Sequence, residues 1–163
     1  MTFTLPSLLY AISRNPVTAV GLPVVFGMLS GSRTRKDVRS NWYKIFPIIW
    51  PVLYICMGYA SHIAVKAFDE AKTDSARSSL SLALGLYYFQ LALNGLWTPL
   101  FFGARKVGLA LVDSIALLGT NVYMTSILHD LTGGRTSFFL LPYCAWCTYA
   151  TYLNGGCWFL TNN

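Results

Sequence analysis

The run IFPIIWPVLYICMGYASHIAV, residues 45–65, lies between Lys44 and Lys66 and contains no Asp, Glu, Lys or Arg. At about 1.5 Å per residue, a helix of this length reaches across the roughly 30 Å hydrocarbon core of a bilayer. Outward from it, the same kind of stretch recurs. Residues 15–32 lie between Arg14 and Arg33, and residues 78–104 between Arg77 and Arg105. Residues 107–129 lie between Lys106 and Asp130, interrupted only by Asp113, and residues 136–160 follow Arg135 with no further charge.

The composition agrees. The chain has 163 residues, 55% hydrophobic and only 11% charged, where a soluble domain carries about 25% Asp, Glu, Lys and Arg. This excludes a disordered chain, a coiled coil and an ordinary soluble enzyme. Each stretch is expected to be helical, because in lipid every backbone N–H and C=O needs a partner within the structure. A closed barrel would need alternating segments of about 10 residues, and these runs are longer and apolar on all sides. The fold class expected is all-α: an integral membrane bundle of five transmembrane helices, one domain over residues 1–163.

The net charge of +6 could signal nucleic acid, but the Lys and Arg share no soluble face. Arg33, Arg35, Lys36, Arg39 and Lys44 crowd the first connection, and Arg105 and Lys106 mark the third. Arg14, Lys66, Lys72, Arg77 and Arg135 fall on the other side. The positive-inside rule places the first and third connections and the C-terminus in the cytosol. No nucleic-acid partner is expected. The apolar run Leu5–Ile12 lacks the basic n-region of a cleaved signal, and Pro16 interrupts its continuation.

Polar groups inside spans are costly and become candidate functional positions. At helical spacing, Trp50, Tyr54, Met57 or Gly58, and Ser61 share a face of the second span. Gln90, Asn94, Trp97 and Phe101 share one in the third. Asp113, Thr120, Asn121 and Met124 lie close around the fourth, and Trp146, Ala150, Leu153 and Cys157 share a face of the fifth. Two readings stand: polar groups that bond one helix to another, or an aromatic cavity with a few polar groups that suits a flat, apolar ligand. Asp113, the acid deep within a span, is either a structural acceptor or a group that orients the pocket. Cys144 and Cys147 form C-x-x-C, but with no second pair and no nearby His they read as packing residues. No metal site is expected. Gly27 and Gly31, and more weakly Ser81 and Gly85, permit close helix approach within one chain or between two.

The segment FPIIWPVLYICMGYASHIAVK, Phe46 to Lys66, resembles the second helix of the TspO/MBR family, with Trp50, Leu53, Tyr54, Met57, Gly58 and Tyr59 fitting its pattern. QLALNGLWTPLFFGARKVGLALVD, Gln90 to Asp113, resembles the third and fourth helices. LLPYCAWCTYATYLN, Leu140 to Asn154, resembles the fifth, with Pro142, Tyr143, Trp146, Ala150, Leu153 and Asn154 in register. The resemblance implies a five-helix bundle, often dimeric, with a pocket opening toward the cytosol. It implies porphyrins such as protoporphyrin IX or heme as ligands, with sterols and benzodiazepine-type molecules beside them, and no required cofactor. By position, Trp50, Asn94, Trp97, Ala150 and Leu153 line or border that pocket, Trp146 stands in its wall, and Asp113 matches the fourth-helix acid. Tyr54 and Gln90 join this set from the stripes.

The function implied is binding, and transport, of tetrapyrroles or sterol-like lipophiles. The alternatives are a light-dependent porphyrin-degrading enzyme, although no catalytic constellation is visible, and a membrane scaffold with no specific ligand. The resemblance implies the mitochondrial outer membrane, or alternatively the endoplasmic reticulum. Two departures stand out. The first loop is about a dozen residues shorter by this comparison, since Trp42 and Tyr43 run almost directly into Lys44-Ile45-Phe46-Pro47; a shortened lid implies faster ligand release. No Lys or Arg follows Arg135, so the weak C-terminal cholesterol pattern of animal members is absent.

Overall fold

The computed structural model describes residues 4–32 and 46–162. The basic first connection and the shortened loop with Trp42 and Tyr43 lie outside the described residues. Six helices follow in order: α1 (Ser7–Arg14), α2 (Pro16–Ser32), α3 (Phe46–Glu70), α4 (Asp74–Thr98), α5 (Val107–Thr132) and α6 (Ser137–Asn162), with no strand among the described residues.

The chain turns by 101° between α1 and α2. Asn15 precedes Pro16, and the proline ring pushes it into an extended conformation, φ −86° and ψ 119°. Its side-chain oxygen then accepts the Val17 N–H at 2.9 Å, capping α2 with proline at the first helical position. The apolar run Leu5–Ile12 therefore becomes a separate short helix, laid against the ends of α3 and α4. The Tyr10 hydroxyl meets Ser81 Oγ at 2.7 Å, and Tyr88 donates to the Leu9 carbonyl at 2.7 Å. Arg14 donates twice to the Asp69 carboxylate, at 2.9 and 2.6 Å, and this holds Asp69 below its ordinary pKa.

The α4 pattern fails at Pro99, which has no N–H to give. Pro99–Gly103 form a π-helical turn, closed where Ala104 N–H reaches the Pro99 carbonyl at 2.8 Å. The stretch 78–104 is thus an α-helix to Thr98 followed by a wider turn, and Arg105, at φ 53°, completes the reversal into α5. At the far end α5 stops at Gly133 (φ 59°), and the Gly134 N–H bonds back to the His129 carbonyl at 2.8 Å, so α6 returns antiparallel.

By length and apolarity alone, α5 qualifies as a span (mean hydropathy 1.5), as does the bent pair of α1 and α2 taken together. Helices α3, α4 and α6 are 25, 25 and 26 residues long, and each mixes Tyr, Ser, Asn or Gln into its apolar residues. The average conceals which way those residues face. Tyr54, Ser61, Ser81, Gln90, Asn94, Tyr143 and Asn154 are buried, while Val52, Ile55, Phe89, Leu96, Phe138, Leu141, Phe159 and Leu160 are exposed. Polar inside and apolar outside is the arrangement lipid requires of a bundle.

Helix α3 is central and packs against every other helix. Its inner face, Met57, Ala60 and Ala64, meets Leu80, Ala83, Leu84 and Tyr87 of α4, Met124 and Leu128 of α5, and Leu140 and Tyr143 of α6. A residual void of about 10 Å³ there is too small for a ligand. Helix α2 approaches α3 closely at Gly58, where a Cβ would collide with the Ala19 carbonyl oxygen and stand 2.7 Å from Val20 Cα. Gly27 likewise takes the Tyr54 ring within this chain; its partner in the G-x-x-x-G pair, Gly31, has no described surroundings. Because the obstacle at Gly58 is backbone, Gly58→Ala is expected to lower stability by about 1–3 kcal/mol, read as a lower unfolding midpoint in detergent.

Candidate functional site

A polar residue in a lipid-embedded helix cannot rely on water, and the neighbouring helix is its nearest source of partners. Four hydrogen bonds show this at the middle of the bundle. The Tyr54 hydroxyl of α3 donates to Asn94 Oδ1 of α4 at 3.1 Å. Asn94 Nδ2 donates to the Tyr143 oxygen of α6 at 2.6 Å. The Tyr143 hydroxyl donates to Gln90 Oε1 at 3.1 Å, and Gln90 Nε2 donates back to Met57 Sδ of α3 at 3.1 Å. The chain of bonds leaves α3, crosses α4 and α6, and returns. All five residues are 5% exposed or less.

Helical spacing explains the convergence. Gln90 and Asn94 are four apart on α4, and Tyr54 and Met57 three apart on α3, so each helix offers two groups from one face. Both ends of each carboxamide are used, which locks the side chains. Thus Tyr54, Gln90 and Asn94 are brought together, Tyr54 bonded to Asn94 and Gln90 joined to them through Tyr143. Met57, from the second-span stripe, and Tyr143, which lies in none of the stripes, complete the chain. The signal for Tyr143 was available: it lies three residues before Trp146, on the turn preceding the fifth-span stripe.

Aromatic rings flank this polar centre. Trp50, half-buried one turn before Tyr54, stacks on it with centroids 5.3 Å apart. Trp146 of α6 stands edge-on to Trp50, centroids 6.3 Å apart and planes at 80°. Such a geometry suits the opposite charges of ring face and ring edge. Trp97 sits at the end of α4, stacked on Phe101 at 4.9 Å with Phe102 edge-on. The π-helical turn at Pro99 sets that aromatic group. Ala150 is half-buried a turn beyond Trp146, and Leu153 is exposed.

Asp113 takes no part in this chain of bonds. It is buried on α5, and its Oδ2 has no hydrogen-bond partner among the described residues; the same holds for both side-chain polar atoms of Asn154 on α6. Between these helices Thr151 Oγ1 donates to the Ser114 carbonyl at 3.3 Å. The α5–α6 contact therefore has its own polar set. Among the described residues no group of three or more His, Cys, Asp or Glu could hold a metal ion.

Residues 19–159 match the TspO/MBR family. The chain is 37% identical over 155 residues to a translocator protein homolog of Schizosaccharomyces pombe, covering 90% of this chain and 92% of that one. It is 38% identical over 155 residues to the translocator protein of Homo sapiens, covering 88% of each. It is 29% identical over 146 residues to the tryptophan-rich protein TspO of Chlorobaculum tepidum, covering 83% of this chain and 88% of that one.

The buried chain of bonds makes Tyr143 a sensitive point. Tyr143→Phe keeps the ring and removes the group that both accepts from Asn94 and donates to Gln90. Leaving those partners unmatched is expected to cost about 1–3 kcal/mol, measured by reversible unfolding in detergent, with helix content unchanged in the folded state.

Proposed function

The chain belongs to the TspO/MBR family, whose fold is a five-span helical membrane bundle, and on that premise we propose that it binds flat tetrapyrroles such as protoporphyrin IX or heme between α3, α4 and α6. The observation that supports this is the Trp50–Trp146 pair beside a fully bonded polar centre. Two indoles offer broad π faces, and the locked Tyr54–Asn94–Tyr143–Gln90 chain offers a rigid polar backing.

Drug-sized ligands ordinarily occupy about 300–1,000 Å³. In this structure Trp50 stands edge-on to Trp146. Binding then requires the two indoles to part, and a porphyrin ring replaces their mutual contact with stacking on each. Apolar burial supplies the affinity. Trp97, Ala150 and Leu153 form the rim, and Asp113 acts from α5. Sterols, which lack the π face, bind less tightly at the same place. Transport follows if the same parting lets the ligand leave toward either the lipid or the cytosol. The name translocator, carried by the fungal and human relatives, is in keeping with such movement. The membrane proposed is the mitochondrial outer membrane, with a homodimer as the working assembly.

The Trp50→Phe/Trp146→Phe double variant keeps two apolar rings and loses the indoles. It is expected to bind protoporphyrin IX at least tenfold more weakly, about 1.4 kcal/mol, by titration of the porphyrin absorption band. An unchanged affinity would remove this pair from the site.

A further inference from the structure

A second cavity, of about 230 Å³, lies at the other end of the bundle, between the end of α3 and the α5–α6 turn. Three of its lining groups are charged: Lys66 and Glu70 on α3 and Arg135 just after the Gly133-Gly134 reversal. Lys66 and Glu70 are four apart and share a face, yet the ion pair at this end joins Arg14 to Asp69 and leaves these three without a partner among the described residues. The rest of the wall is apolar at Tyr59, Ile63, Ala67 and Leu131 and polar at His62 and Thr132. The half-exposed Tyr59 ring rests edge-on against Phe139 at 5.0 Å. His62 closes the side nearest α1, with Nδ1 bonded to the Ser13 carbonyl at 3.0 Å.

This end of the bundle carries a band of charge. Arg14, Asp69, Lys72, Asp74, Arg77, Asp130 and Arg135 fall in or beside its connections. It is therefore the level at which lipid headgroups meet the protein. The cavity is smaller than a porphyrin-sized site, and its charges do not suit a simple ion. An anion alone answers Lys66 and Arg135 and leaves Glu70 facing like charge. A cation alone answers Glu70 and is opposed by two others. A molecule with both a phosphate and an ammonium answers all three, and an apolar wall beside them calls for acyl chain.

We propose that this cavity seats the headgroup of an aminophospholipid. Lys66 and Arg135 take the phosphate, with Arg135 able to do so through two parallel N–H donors. Glu70 takes the ammonium, and the glycerol and first methylenes lie along Tyr59, Ile63 and Leu131. The site is separate from the aromatic end and does not rest on the tetrapyrrole reading. Its occupant ties α3 to the α5–α6 turn, two segments that otherwise meet here across open space.

The test uses the full chain in a neutral detergent, with the unfolding midpoint followed as short-chain phosphatidylethanolamine, phosphatidylglycerol, phosphoethanolamine or inorganic phosphate is added. A ligand that binds only the folded form must raise the midpoint. Phosphatidylethanolamine is expected to act at concentrations at least tenfold below phosphatidylglycerol and below either water-soluble phosphate. Lys66→Gln/Arg135→Gln abolishes the response to both lipids. Glu70→Gln removes the preference for phosphatidylethanolamine and keeps the response to phosphatidylglycerol. All three side chains line the cavity rim outside the core, and should the double variant fold poorly, the Glu70→Gln preference alone decides. Equal responses in wild type and the basic double variant, or a Glu70→Gln protein that still prefers phosphatidylethanolamine, would overturn the proposal. A response to phosphoethanolamine equal to that of the lipid would overturn it as a lipid site.

Discussion

A carboxamide buried in a lipid-embedded helix has two polar ends, and the backbone of its own helix is already bonded. Asn94 resolves this by accepting from Tyr54 on one neighbour and donating to Tyr143 on another. Most of the central geometry depends on that pairing. It fixes the rotation of α3, α4 and α6 about their axes, because a turn of any one helix would strand a polar group away from water. The fixed rotation in turn directs Trp50 and Trp146 toward each other. Apolar surface alone could not select it, since lipid tails and leucines are nearly equivalent to a helix face. Close packing at Ala60, Ala64 and Ala83 then follows from small residues lying where the polar centre brings the helices together.

Charge placement made the helices legible before any coordinates. The uncharged runs between Lys44 and Lys66 and between Lys106 and Asp130 mark where α3 and α5 lie, because desolvating a charge in hydrocarbon is costly. The stripes also singled out Tyr54, Gln90 and Asn94, which the structure joins. Tyr143 was missed as a site residue because a phenol in an apolar run looks like packing until its partners on α4 are known. The short α1 and the π-helical turn were not legible either. Pro16 and Pro99 announce a break, but the direction taken after it depends on tertiary partners such as Tyr10–Ser81 and Tyr88–Leu9. Asp113 is the acid within a span, yet it is buried on α5 and takes no part in the central chain of bonds. The spacing of residues on one helix says nothing about which neighbour a face meets.

The two ends of the bundle differ in kind. One gathers Trp50, Trp97 and Trp146 beside a locked polar centre, with basic residues in the connections next to it. The other mixes acidic and basic residues in its connections, holds α1 through the Arg14–Asp69 pair, and opens a cavity of about 230 Å³. Both follow from the same division of the sequence: long aromatic and apolar runs bounded by short charged connections.

One continuous polar chain orients α3, α4 and α6, so Asn94 and Tyr143 must act as a unit. A double-mutant cycle with Asn94→Leu and Tyr143→Phe, read by reversible unfolding in detergent, measures this directly. The double variant is expected to be less destabilised than the sum of the singles, with a coupling of about 1 kcal/mol or more. Additive losses, with no coupling beyond the error of the measurement, would contradict it.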